Sequence, residues 1–339
     1  MSEAAGRPTE KISVVIPAHD SAAQLLEVLS AIIAQSLPPD RIILFDDGSH
    51  DGTAAIARRL GVDVIEGSTP PKGPAYGRNV GATAAEDGII VFVDADVVLA
   101  EDALHRLVAE MQTTGADAAF GSYTDAPRSS GVVSLYANLR HHHVHQLGSR
   151  DARTFWTGIG AVRRSAFIDA DGFDPAQFPR PSIEDIDLGA RLIRRGSTIR
   201  LVPEAQGVHL KEWSLTQLWA TDIMRRAYPW SKLLLSGLAP PGQLNVSRIE
   251  QLKALFAMAV AALLLLSIMQ PIALFGALLC TTCYVWLNRS FLRLMARRGG
   301  FRGLFAGTIL HWIYHLYSTG TYVTVKLMML AGWRPAKAR

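Results

Sequence analysis

The residues of this chain that could do chemistry gather where apolar runs end. Asp94 and Asp96 follow Ile89-Ile90-Val91-Phe92-Val93, a mostly β-branched run that reads as a strand buried on both faces. Alternate strand side chains share a face, so both carboxylates should reach the same side wherever strand geometry persists. At the carboxyl end of a strand in an open α/β sheet, that side is the ligand crevice. Two hard oxygen donors there suit Mg²⁺ or Mn²⁺, with phosphates supplying further oxygens. The competing reading is a loop of solvated carboxylates that caps the next helix. Two more strand ends look alike: Ile12–Ile16 leads to His19 and Asp20, and Ile42–Phe45 leads to Asp46 and Asp47. Three such ends favour a site over a coincidence of polar loops.

The elements that must position these residues follow from apolar periodicity. Strands are expected over 12–16, 42–45, 62–65 and 89–93. Between the first two lies a helix capped by Ser21, with an apolar face through Leu25, Leu26, Leu29, Ile32 and Ile33. A second helix stops at Leu60-Gly61, and a third follows Gly73–Gly81. Strand alternating with helix is the signature of a doubly wound parallel sheet. The first strand is followed by Pro17-Ala18-His19-Asp20, not by a glycine-rich phosphate loop, and no G-x-x-x-x-G-K-[ST] occurs. Phosphates must then be handled by metal and side chains.

The ordered series Val14-Val15-Ile16-Pro17-Ala18-His19-Asp20, Asp46-Asp47-Gly48-Ser49, Gly77-Arg78-Asn79, Asp94-Ala95-Asp96, Gly172-Phe173-Asp174 and Glu184-Asp185-Ile186-Asp187-Leu188 resembles glycosyltransferase family 2 across roughly residues 10–210. The resemblance implies an α/β catalytic domain of the GT-A fold (nucleotide-diphospho-sugar transferase, Rossmann-like). It implies a nucleotide-sugar donor, UDP- or GDP-linked, and Mn²⁺ or Mg²⁺. Donor contacts would fall to Pro17, Ala18, His19, Asp47, Arg78, Asp94 and Ala95, with Asp46 either the structural partner of Asp47 or an Asx-type turn. Arg78 would meet a phosphate or a base, unless it is a surface helix charge. Asp96 would hold the metal, with Asp94 sharing the ion or touching ribose. His209, after the strand Ile199–Val202, is a further candidate ligand, or a histidine satisfied by backbone. Trp156, Thr157, Gly158 and Glu184 would meet the donor sugar and acceptor; Phe155–Ala161 reads equally as a core strand with a glycine bulge. Asp185 would be the catalytic base of an inverting transfer. Its place in a first helical turn lets the helix dipole hold it ionised.

Composition marks off the remainder. A net charge of +4 and scattered arginines without interleaved aromatics give no nucleic-acid face. Met1–Lys11 is polar with no apolar leader segment, so no signal peptide is expected. Cys280 and Cys283 sit within an apolar run and read as buried small residues; no cysteine precedes them, which fits a reducing compartment. His141, His142, His143 and His145 fall on a helical pattern and read as a solvated or acceptor-side face.

Five segments are expected: a disordered N-terminus over 1–10, the catalytic domain over 11–211, amphipathic interface helices over 212–250, transmembrane or re-entrant helices over 251–332, and a basic tail over 333–339. Ala254–Leu287 carries no charge. Gln270-Pro271 interrupts the run Leu252–Leu287, which reads as a hairpin of two helices near the length that crosses a bilayer. A loop with Arg289, Arg293, Arg297, Arg298 and Arg302 would stay cytoplasmic. Leu304–Leu330 is a third apolar stretch, re-entrant or spanning. The expectation is a multi-pass inner-membrane enzyme with its catalytic domain in the cytoplasm. It would transfer one sugar to a lipid or lipid-linked acceptor. A processive polysaccharide synthase would carry Gln-x-x-Arg-Trp where this chain has Asp222-Ile223-Met224-Arg225-Arg226. A membrane-anchored, non-catalytic nucleotide-sugar-binding protein is the remaining alternative.

Overall fold

The computed structural model describes residues 10–239 and 246–333. The expected polar N-terminus before Glu10 and the tail residues Arg334, Lys337 and Arg339 lie outside them. Contacts divide the chain into two units, Met1–Thr124 with His145–Lys211, and Asp125–Val144 with Glu212–Arg339. The inclusion of 125–144 in the second unit has no counterpart in the sequence pattern.

The first unit holds strands β1 (Lys11–Ala18), β2 (Arg41–Asp46), β3 (Asp63–Glu66), β4 (Gly88–Val93), β5 (Val97–Leu99), β6 (Ala118–Tyr123), β7 (Asp151–Ala152), β8 (Ile159–Arg163) and β9 (Ile199–His209). Their order is β3-β2-β1-β4-β8-β6-β9-β5, with β7 on β9. The first four strands are parallel, as expected. Beyond β4 the sheet is mixed: β8 runs antiparallel to β4 and β6, and β5 antiparallel to β9. Parallel neighbours need a crossover, and helices α1 (Ala22–Ile33), α2 (Thr53–Arg59) and α3 (Pro74–Ala84) supply it only among those first strands. After β4 the chain turns directly into β5.

One face of the sheet packs Ile12, Val14 and Ile16 against Leu25, Leu29 and Ile32 of α1 and against Leu104 and Leu107 of α4 (Ala103–Thr114). Burying each such side chain contributes about 1.5–3 kcal/mol. Leu26 and Ile33, placed in the same stripe by periodicity, are exposed. Ser21 precedes α1, but its hydroxyl donates to the His19 carbonyl and caps nothing. On the other face α3 lies very close to the strands. A Cβ on Gly77 would sit 2.6 Å from the Phe45 ring, and one on Gly81 2.3 Å from Val15. Those two glycines seat the helix and carry Arg78 inward with it. Helices α5 (Val132–Leu147), α6 (Arg164–Asp169) and α7 (Glu184–Arg194) complete this part of the chain, α5 contributing residues to both units. The histidine tract lies on α5, as its pattern predicts.

The second unit continues with α8 (Leu215–Ala220), a π-helical turn over Thr221–Ala227, α9 (Tyr228–Leu235), α10 (Arg248–Leu266), α11 (Ala273–Leu287) and α12 (Arg289–Leu330). A turn at Gln270-Pro271 separates α10 from α11, as expected. Among the described residues α10 alone is long and apolar enough to cross a membrane; α11 has 15 residues. The arginine-rich stretch is helical, not a loop: α12 begins one residue after α11 and breaks only at Gly300, where φ is 59°. Arg298 there pairs with Asp125. His311 and His315, conspicuous in an apolar stretch, are buried and bonded to Tyr136 and Tyr284. Cys280 and Cys283 are free thiols, half-buried where full burial was expected.

Candidate active site

The strand that leads to Asp94-Ala95-Asp96, a DxD pattern, ends earlier than its apolar run implies. β4 stops at Val93, and Asp94 and Asp96 occupy a turn closed by the Val97 amide donating to the Asp94 carbonyl at 3.1 Å. Strand geometry does not persist across the pair, and the two carboxylates take different partners. Asp94 accepts from Arg78 Nη2 at 2.6 Å. Asp96 instead lies 3.4 Å from His209 Nε2, because β5 pairs Val97 with His209 across the β5–β9 ladder. Ala95 has its side chain in the core beneath the turn, leaving its backbone for a ligand.

Arg78 is 4% exposed, where a surface helix charge was the alternative. Its second amino group donates to Glu184 at 3.0 Å, so one guanidinium ties the turn after β4 to the start of α7. Glu184 also accepts the Ser182 amide at 2.7 Å. Asn79 exchanges two hydrogen bonds with the Phe173 backbone, fixing the Gly172-Phe173 loop to the same helix turn. Asp185 accepts the amides of Ile186 and Thr157. Burial, reinforced by the adjacent Glu184 charge, pushes its carboxyl up to about 7 against the pull of Arg78 and those amides. The helix-dipole argument expected an ionised carboxylate; desolvation and a like charge outweigh the dipole here.

Trp156 and Thr157 connect this group to the Asp96–His209 pair. Thr157 serves Asp185 through its amide. The half-buried Trp156 ring lies over Gly158, where a Cβ would come within 2.3 Å of it, and meets Tyr123 and His145 edge-on at 4.8 and 4.9 Å. Tyr123 in turn stacks flat on His209 at 4.4 Å. Tyr123 had no sequence signal as a site residue, and His145, read from the sequence as part of a solvated or acceptor-side face, is buried against Trp156; both contacts are visible only once β6 and α5 are placed.

At the β1 and β2 ends, Pro17 and Ala18 pair with Phe45 and Asp46, and His19 Nδ1 lies 3.0 Å from the Asp47 carbonyl oxygen. Asp46 accepts the Ser49 amide at 2.9 Å, the Asx-type alternative. Asp47 clamps the turn before α3, accepting the amides of Lys72 and Gly73 at 2.9 and 2.7 Å; each oxygen keeps a lone pair for a donor.

Asp96 and His209 would supply two ligands to a divalent cation; no group of three or more His, Cys, Asp or Glu placed to hold one occurs among the described residues. The His209 hydrogen bond and charge overcome the effect of burial and hold the Asp96 carboxyl below its usual range. One carboxylate and one imidazole leave room for substrate oxygens, and the nitrogen ligand suits Mn²⁺ better than Mg²⁺, which prefers an all-oxygen octahedron.

Residues 13–173 match the model of Glycosyl transferase family 2. The chain is 28% identical over 165 residues to Glycosyltransferase GlyG of Streptococcus pneumoniae, covering 47% of this chain and 54% of that protein. It is 35% identical over 111 residues to a 4,4'-diaponeurosporenoate glycosyltransferase of Staphylococcus aureus, covering 31% and 29%. It therefore spans about half, or less, of the length of these relatives. Two solved structures share its fold at 18% identity. They are the mannosyltransferase PcManGT from Pyrobaculum calidifontis in complex with GDP-Man and Mn²⁺ (TM-score 0.56; 96% of this chain, 88% of that one) and S. aureus TarS 1-349 in complex with UDP-GlcNAc (0.52; 96% and 93%). Residues 13–173 of this chain are a glycosyl transferase family 2 domain, within a unit built on the GT-A fold.

Proposed function

We propose that the chain is a divalent-metal-dependent, inverting glycosyltransferase that moves one sugar from a UDP- or GDP-sugar to a lipid or lipid-linked acceptor at the cytoplasmic face of a membrane. The observation that carries this reading is the Arg78 bridge, which joins the DxD turn to Glu184 and so holds Asp185 beside it. Asp185 takes the proton of the acceptor hydroxyl as its oxygen bonds to the anomeric carbon and the bond from that carbon to the diphosphate breaks. A carboxyl poised near 7 suits that transfer at neutral pH. Asp96 and His209 would hold the cation, whose chemistry is to neutralise charge on the departing nucleoside diphosphate. Pro17, Ala18, His19 and Asp47 line the nucleotide, and Trp156 offers a ring face to the sugar.

The acceptor class rests on the exposed apolar surface of α10 and α11, where Leu265, Phe275, Leu278 and Leu279 all face outward, and on the relative that acts on 4,4'-diaponeurosporenoate. The arginines after α11 favour the cytoplasmic side. The Asp222–Arg226 departure from Gln-x-x-Arg-Trp argues for single transfer. Thermal-shift screening of UDP- and GDP-sugars with Mn²⁺ should find a stabilising donor, and that donor should label extracted membrane lipid. Stabilisation by none of them would overturn the reading.

A further inference from the structure

The second unit contains a groove that plays no part in donor chemistry. Ile223 and Met224 of the π-helical turn and Tyr228 of α9 form one wall; Tyr317, Gly320 and Thr324 of α12 stand opposite. The cavity measures about 410 Å³, within the range of small-molecule sites. The carboxylate of Asp222, next to the groove residue Ile223, is fully engaged. Asp222 is 2% exposed, paired with Arg140 and Arg226, and accepts the Tyr317 hydroxyl at 2.5 Å. An apolar chain entering the groove therefore meets no bare carboxylate at Asp222.

Depth follows from α12. The Trp312 indole donates to the Ala257 carbonyl and His315 lies against Glu250, so α12 runs antiparallel to α10. Residues 320–325 then project about 5–12 Å beyond the Arg248 end of α10, at 1.5 Å per residue. With α10 in a bilayer, that is headgroup level. Lys232, one helical turn after the groove residue Tyr228, has its ammonium 5.6 Å from the Tyr228 ring and 5.5 Å from that of Trp333. Tyr and Trp are enriched at membrane–water interfaces, and cationic side chains are common beside them there. No carboxylate partner is recorded for Lys232 among the described residues.

We propose that this groove binds a single-chain lipid phosphate, the head-proximal hydrocarbon between Met224, Tyr228 and Gly320 and the phosphate at Lys232. It rests on the lipid-acceptor reading above and identifies where such an acceptor docks. The test uses the full chain in nanodiscs, with displacement of a fluorescent dodecyl phosphate by dodecyl phosphate, dodecanol or inorganic phosphate. Gly320→Leu and Thr324→Phe plug the groove. A Cβ at Gly320 meets no atom within 4 Å and Thr324 is exposed, so both should fold. Each plug should weaken dodecyl phosphate and dodecanol at least tenfold. Lys232→Gln should weaken dodecyl phosphate alone and remove its salt dependence. Wild-type affinity in both folded plugs overturns the proposal, as does full displacement by inorganic phosphate. Nucleotide-sugar thermal shifts should be unchanged in all three variants. Their absence in the wild type would sink the transferase reading and leave the groove result standing.

Discussion

Asp185 is asked to be both buried and basic, and the two demands conflict measurably. Asp185→Asn should cut transfer roughly 10²–10⁴-fold, the usual contribution of a positioned base, while nucleotide-sugar binding persists; full activity would remove Asp185 from the mechanism. The same variant should melt higher. The folded-state value near 7 lies above the unfolded value of about 4, so the protonated form stabilises the fold. That contribution is lost as pH rises from about 4 to about 7. In the proposed base role turnover needs the ionised form, so kcat should rise through pH 7 and flatten above it. Asp185 was legible as a carboxylate opening a helix, and its proposed role came from the ordered motifs. Its elevated proton affinity was not legible, because burial is set by the packing of the 155–158 segment, which lies some thirty residues away in sequence.

The site is built by elements that approach one another unusually closely. Gly77 and Gly81 set α3 against β1 and β2, which is why Arg78 is interior. Replacing Arg78 with Met leaves Glu184 buried without its cation, and should cost about 3–5 kcal/mol in denaturant unfolding. Lys should recover part of that stability, but it cannot span both carboxylates. Gly158→Ala forces the Trp156 ring off its place and loosens the stack on Tyr123 and His209. The expected signature is weaker Mn²⁺ activation, seen as a higher metal concentration for half-maximal rate, with nucleotide binding little changed. The strand–helix alternation of residues 12–93 could be read from periodicity because each piece is local. The β8, β6, β9 and β5 arrangement could not. Its register depends on pairings such as Val97 with His209, more than a hundred residues apart.

At the scale of the molecule, a charged α/β unit is followed by helices whose large apolar side chains face outward. Leu265→Glu together with Leu279→Glu should lower co-sedimentation with anionic lipid vesicles severalfold while leaving the melting midpoint near its original value, since both side chains are exposed. Unchanged co-sedimentation would detach this surface from membrane binding. The break at Gln270-Pro271 was plain in the sequence; the continuation of the arginine stretch as helix was not, because a helix rich in arginine and a basic loop share a composition. The Arg78 bridge also carries a thermodynamic consequence. A diphosphate arriving near Asp94 competes for the cation that partly offsets the charge at Asp185, so donor occupancy and protonation of the base become linked quantities. By reciprocity, whatever donor does to that proton affinity, the proton does to donor affinity. Donor dissociation constants should thus increase with pH across the interval where turnover rises. Under the proposed mechanism saturation and speed favour opposite sides of neutrality, and the optimum for transfer is a compromise between them.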